Sequence, residues 1–181
     1  MNTNKAIPLV LTVIGDDRPG LVEQLATAIS KHNGNWLESS MAHLSGKFAG
    51  IVCVGIAAND VDALKTELSA LAGLRITAEI AGTDAAPSEQ PNSRRLKLSL
   101  VGHDRIGIVR EVSQVLARHA VNVEDLSTHT ASAPMSAAIL FHATADLTAS
   151  PTLDTRALTN DLEQLSNDLM VDITLDETIR T

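Results

Sequence analysis

The chain has 181 residues, 44% of them hydrophobic, enough for one core or two small ones, and no apolar run approaches the length of a bilayer span. Its formal charge is −8, neither half has the basic excess that phosphate neutralisation requires, and with no Tyr, one Trp and two Phe it lacks stacking platforms, which disfavours direct nucleic-acid binding. A single cysteine allows no intrachain disulfide, and the polar Met1 to Ala6 leads into no signal-peptide core, so a cytoplasmic protein without membrane contact is expected.

Leu9 to Ile14 is apolar except for Thr12 and predicts a first strand. Gly15-Asp16-Asp17-Arg18-Pro19-Gly20 follows, then Leu21, Leu25, Ala28 and Ile29 at helical spacing. Asp17 is placed to cap this helix, Pro19 suits its first turn, and Gly34 supplies its stop. Asn35 to Leu44 and Lys47 to Ala58 read as a strand pair joined at Ser45-Gly46. Because Ile51 to Ile56 is almost wholly apolar, that strand is expected at the centre of a sheet, with Cys53 a buried, inert thiol. Val61, Leu64, Leu68 and Leu71 mark a second helix, and Ile76, Ala78 and Ile80 an alternating last strand. Residues 83–93, poor in apolar side chains and carrying Pro87 and Pro91, read as a linker.

The chain then repeats itself. Leu9 to Ser40 aligns without a gap on Leu96 to Ser127 at a constant offset of 87. Leu96, Leu98 and Leu100 alternate with Lys97 and Ser99, which fits a sheet covered on one side. Gly102-His103-Asp104-Arg105-Ile106-Gly107 renews the turn, with Asp104 at the capping place, and Ile108, Val112, Val115 and Leu116 renew the helix. Ala120-Val121 stands where the first helix has its glycine stop. Asn122 to Thr130 and Met135 to Thr144 form the next strand pair, joined around Ala131 to Pro134. Leu158, Leu162, Leu165 and Leu169 mark the second helix, and Val171, Ile173 and Leu175 the last strand. Each copy has the order βαββαβ. The fold class is therefore α+β: two ferredoxin-like domains, residues 1–82 and 94–181, each a four-stranded antiparallel sheet with two helices on one face. Units this small expose much surface, so pairing into a homo-oligomer is a reasonable expectation.

The duplicated pattern, with Gly-x-Asp-Arg-x-Gly at each first strand-helix turn and Asn35 or Asn122 just beyond the first helix, resembles the ACT domain family over nearly the whole chain outside the linker and termini. That resemblance implies regulatory modules that sense small molecules such as amino acids. More narrowly, two such units with no attached enzyme resemble the glycine cleavage system transcriptional repressor family. This implies regulation of transcription through a protein partner, a DNA-binding activator, without contact between the ACT protein and DNA.

Physically, a helix N-terminus presents unpaired N–H groups and a positive dipole end to a carboxylate, and Gly20 and Gly107 let a ligand or backbone come close. Asp17 or Asp104 can meet an ammonium group, and Asn35 or Asn122 an amide partner. Arg18 and Arg105, constant in both turns, complete the candidate effector-binding set. The same residues also have duties that need no ligand: Asp caps, Gly tightens the turn and Asn closes the helix end. Pro19 becomes Ile106 and Asp16 becomes His103, so the two turns need not bind equally.

His32 and His119 are matched near helix ends, where the macrodipole favours an imidazolium, and the remaining histidines show no metal-ligand spacing. Gly-x-Ser-x-Gly, the P-loop and the dinucleotide fingerprint are absent, and no cofactor is implied. The leading expectation is a non-enzymatic regulator that binds a small effector, an amino acid such as glycine. A module that docks or self-associates without an effector stands as the alternative, and an enzyme as a third.

Overall fold

The computed structural model describes residues 6–82, 93–133 and 138–178. In chain order these form β1 (Ala6–Asp16), α1 (Leu21–Lys31), β2 (Asn35–Leu44), β3 (Lys47–Ala57), a 3₁₀ turn (Ala58–Asp60), α2 (Val61–Ser69) and β4 (Leu74–Ile80). The second copy is β5 (Arg94–His103), α3 (Ile108–Arg118), β6 (Asn122–Ser132), β7 (Ile139–Ala149), α4 (Thr155–Leu169) and β8 (Val171–Thr178). The chain divides into two compact units, 1–87 and 88–181. Except for Ser93, the expected linker lies outside the described residues.

Each unit holds a four-stranded antiparallel sheet, ordered β2-β3-β1-β4 in the first and β6-β7-β5-β8 in the second. These are two α+β ferredoxin-like domains, and β3 is an inner strand as its apolar run predicts. Alternation along each inner strand sends one set of side chains into the core. Leu9, Leu11 and Val13 of β1 and Val52, Val54 and Ile56 of β3 pack with Leu21, Leu25 and Ile29 of α1 and Leu64 and Leu68 of α2. Leu96, Leu98 and Leu100 do the same for β5, beneath Val112 and Leu116 of α3 and Leu158 and Leu162 of α4.

Turn chemistry explains the connections. Ser45 and Gly46 both have positive φ, 50° and 74°, the combination that closes a two-residue hairpin without splaying β2 from β3. Both first helices end in a double backbone closure. The Asn33 N–H donates to Ser30 O at 3.0 Å and the Gly34 N–H to Ile29 O at 2.9 Å; Ala120 to Ala117 O and Val121 to Leu116 O, each at 3.0 Å, repeat it. The left-handed residue is Asn33 or Ala120, not Gly34, so the second helix stops at the same place without a glycine. Gly34 is needed for space, since a Cβ there would meet Ile29 and Val54.

Three further expectations are corrected. β7 runs to Ala149, five residues beyond Thr144, and it begins at Ile139, Met135 lying outside the described residues. Cys53 is only half-buried, because Val52 and Val54 take the core face and Cys53 and Ile51 the other. Asp17 and Asp104 do not cap: the residues preceding α1 and α3 are Gly20 and Gly107, which puts Pro19 ahead of the helix rather than in its first turn.

The units differ in one packing detail. Trp36 of β2 packs against the first core, while its counterpart on β6 is Val123. Beside Val123 the second unit has an apolar cavity of about 30 Å³, lined also by Val112, Leu116, Leu126 and Phe141.

Candidate effector site

The turn motif resolves into separate tasks. Its first glycine is a packing residue: a Cβ on Gly15 would strike the carbonyl of Gly73 ahead of β4, and one on Gly102 would strike Val171 of β8. Its aspartate closes the backbone, with the Asp17 N–H donating to Gly46 O and the Asp104 N–H to Ile139 O, each at 3.0 Å. Its last glycine, at φ 90° in Gly20 and 101° in Gly107, swings the chain into the helix. The Gly20 carbonyl then accepts the first helical bond from the Gln24 N–H, and the Gly107 carbonyl that of Glu111, each at 3.0 Å.

No side chain caps either helix. The N–H groups of Leu21, Val22 and Glu23, and of Ile108, Val109 and Arg110, therefore face outward with the positive end of the helix dipole behind them. In α4, by contrast, Asp154 accepts from the Ala157 N–H at 3.1 Å and occupies that place itself.

The arginines are clamps, and the two differ. Arg18 Nη2 donates to Gln24 Oε1 at 3.1 Å and to the Ala72 carbonyl at 3.0 Å, tying the turn to the segment before β4. Arg105 Nη2 reaches Glu111 Oε2 at 3.0 Å instead. Both partners of Arg18 are neutral, so the first turn keeps an uncompensated guanidinium while the second spends its charge on an ion pair.

Carboxylates at the first turn are also distinct from one another. Asp16 pairs with Lys47, and the hydrogen bond from that ammonium, then its charge, holds the Asp16 carboxyl below its ordinary range. Asp17 is exposed, its Oδ2 3.6 Å from His43 Nε2, a neighbour the linear sequence gave no reason to choose. Thr130 replaces His43 in the second copy, and Asp104 has no side-chain partner among the described residues.

The asparagines are elsewhere. Asn35 pairs with Gly55 of β3, whereas Asp16 pairs with Lys47, eight residues back along the same strand. At about 3.4 Å per residue this puts Asn35 some 27 Å from the turn, at the opposite end of the sheet. Asn122 opposite Thr148 and His103 opposite Leu140 repeat the separation. Within one domain, no amino acid can touch both Asp17 and Asn35, or both Asp104 and Asn122. Asn122 is moreover occupied, donating to Glu124 Oε1 at 2.6 Å; Thr148 donates to the same oxygen, and these bonds, that of Thr148 first, hold the Glu124 carboxyl below its ordinary range.

The matched histidines have structural work. His32 Nε2 lies 2.7 Å from Glu67 Oε2, and His119 Nε2 lies 3.0 Å from Asp161 Oδ2, so each joins the two helices of its unit. Among the described residues, no group of three or more His, Cys, Asp or Glu is gathered as a metal site, and no helix is long and apolar enough to cross a membrane.

The model of the family described as ACT domain matches this chain twice, over residues 8–79 and 94–176. A solved structure of an unknown protein from Galdieria sulphuraria is 31% identical, covers 97% of this chain and all of its own, and superposes with a TM-score of 0.85. A structure provisionally assigned to a glycine cleavage system transcriptional repressor is 17% identical, with 97% of this chain and 99% of that one covered and a TM-score of 0.69, a likeness of fold. Among curated proteins, a UPF0237 protein of Methanopyrus kandleri is 38% identical over 52 residues, 29% of this chain. The match spans 58% of that relative's length.

Proposed function

Since this chain belongs to the ACT domain family, we propose that it is a non-enzymatic regulator that binds a small amino acid such as glycine at its strand-helix turns. The observation that carries this reading is the repeated uncapped helix entrance with an exposed aspartate before it, Asp17 in the first turn and Asp104 in the second. An amino acid offers two complementary ends. Its carboxylate meets the N–H groups of α1, supported by the uncompensated charge of Arg18, and its ammonium meets Asp17. Arg105 and Asp104 stand at the same places in the second turn, where Glu111 competes for the guanidinium, so the first turn binds more tightly. Asn35 and Asn122 have no part in a site confined to one domain.

Output to the cell runs through a protein partner, a DNA-binding transcription activator; the likeness in fold to the provisionally assigned repressor and the −8 charge support a role without direct DNA contact. An effector shifts that partnership only through unequal affinity for two states of the regulator. Calorimetric titration of the full chain with glycine and the other amino acids tests the reading. Saturable heat, weakened about tenfold or more by Asp17→Ala and less by Asp104→Ala, is the expected result. No heat and no thermal shift with any amino acid overturns effector sensing and leaves the fold untouched.

A further inference from the structure

The helices cover one face of the first sheet, and the other carries an apolar strip along β1 and β3 whose middle row also holds Ser40, Thr12 and Thr77. On the other face Ile51 and Leu37 are each 55% exposed and Ile14 is 40% exposed, with Val10 and Cys53 half-buried between them. The second sheet is an internal control. In its register Lys97, Thr144 and Asp146 occupy the places of Val10, Ile51 and Cys53, so this fold tolerates a polar, water-facing surface there. The first sheet has instead kept a contiguous apolar surface, which marks an interaction site.

Charge at the rim of this face identifies the occupant. Glu38 on β2 and Glu79 on β4 flank the row of Val10 and Cys53, while Arg75 on β4 flanks the row of Ile14 and Ala49. None of the three makes an ion pair among the described residues, and the rows lie four residues apart, about 13 Å. Thr12 and Ile51 form the row midway between them.

We propose that a second copy of this chain covers this face, the two first-domain sheets stacking about a two-fold axis that crosses the strands at the Thr12–Ile51 row. That axis lays the Ile14 row of one copy over the Val10 row of the other, bringing Arg75 of each chain to the partner's Glu79. Sheets stack about 10 Å apart, a gap that Ile, Leu and Arg side chains span while Ala49 and Gly55 leave them room. Four strands over some seven residues present about 450 Å² per copy, at the low end for a specific interface, so association is reversible.

Sedimentation velocity of the full chain over a concentration series tests the proposal. The expected result is a monomer–dimer equilibrium, with Ile51→Lys and the milder Ile51→Ser remaining monomeric at every loading while circular dichroism reports an intact fold. Arg75→Glu and Glu79→Arg each weaken the dimer about tenfold or more by placing like charges together, and the double variant recovers it because each new charge again faces its opposite. A wild-type chain that is monomeric throughout overturns the proposal, as does a dimer indifferent to Ile51→Lys. A double variant no stronger than the single ones overturns the two-fold arrangement.

Discussion

Gly20 and Gly107 stand in the left-handed region at the mouths of α1 and α3, while the aspartates before them close a backbone bond, the Asp17 carboxylate lying beside His43 and the Asp104 carboxylate exposed. Those roles are separable by substitution. An alanine at Gly20 finds open space, its Cβ no nearer than 4.0 Å to Glu23 Oε2, so its cost is that of the backbone alone. Gly20→Ala is expected to destabilise the first unit by about 1–2 kcal/mol, the penalty of an L residue in that region. Asp17→Ala is expected to stay within about 0.5 kcal/mol, where a capping aspartate such as Asp154 would cost about 1 kcal/mol. Urea unfolding of the three variants, followed by circular dichroism, checks the order. The motif itself is legible because its spacing repeats; the helix start is not, since Asp four residues before the helix and Gly immediately before it both suit a start until φ is known. Placing Asn35 near the turn failed for a related reason. Sequence distance across α1 is short, but β2 enters at the far end of the sheet, a fact carried by the register alone.

Each pair of helices is tied across the top of its sheet by a histidine and a carboxylate, and in the first unit the tie is a three-way contact. Glu67 of α2 receives Lys31 Nζ at 2.9 Å on the same oxygen that lies 2.7 Å from His32 Nε2. Hydrogen bonding from Lys31, then from His32, lowers the carboxyl from its ordinary 4.5. A carboxyl depressed in the folded state binds fewer protons there than in the unfolded chain. Its contribution is therefore fully present above the unfolded value and is lost as pH falls through the folded one. Glu67→Gln is expected to flatten the acid limb of the stability–pH curve below about pH 4.5 and to leave the curve's shape above pH 6 unchanged, as read by urea midpoints across pH. A histidine matched in both repeats advertised some shared task, but its acidic partner is more than thirty residues away on another helix. At this scale the elements were legible where burial follows strong side chains. β7 was cut short because its buried set beyond Thr144 is Ala145, Leu147 and Ala149, with Asp146 and Thr148 alternating on the open face, a weak pattern in one dimension.

The two cores have no residue in common, so the two units are expected to unfold separately, and the sequence supplies a reporter for one of them. The single tryptophan, Trp36, packs against the first core. Leu11 and Leu98 lie at matched places on β1 and β5, fully buried in their respective cores. Truncating either to alanine removes about 2–5 kcal/mol, according to how far the cavity collapses. Leu11→Ala is expected to lower the Trp36 fluorescence midpoint, whereas Leu98→Ala lowers part of the circular-dichroism transition and leaves that midpoint in place. A Trp36 midpoint that follows Leu98→Ala by the same amount would show instead that the units unfold as one. The duplication predicts two cores, because each repeat carries its own strands and helices with the leucines that pack between them. What the repeat concealed is the division of labour laid over it. The first copy keeps the indole, the uncompensated arginine and the apolar outer face, while the second has a cavity, an ion-paired arginine and a polar face. Both the favoured effector turn and the inferred dimer contact therefore fall on the first unit. Raising protein concentration at fixed temperature accordingly moves the Trp36 transition upward through mass action and leaves the second unit's transition where it was.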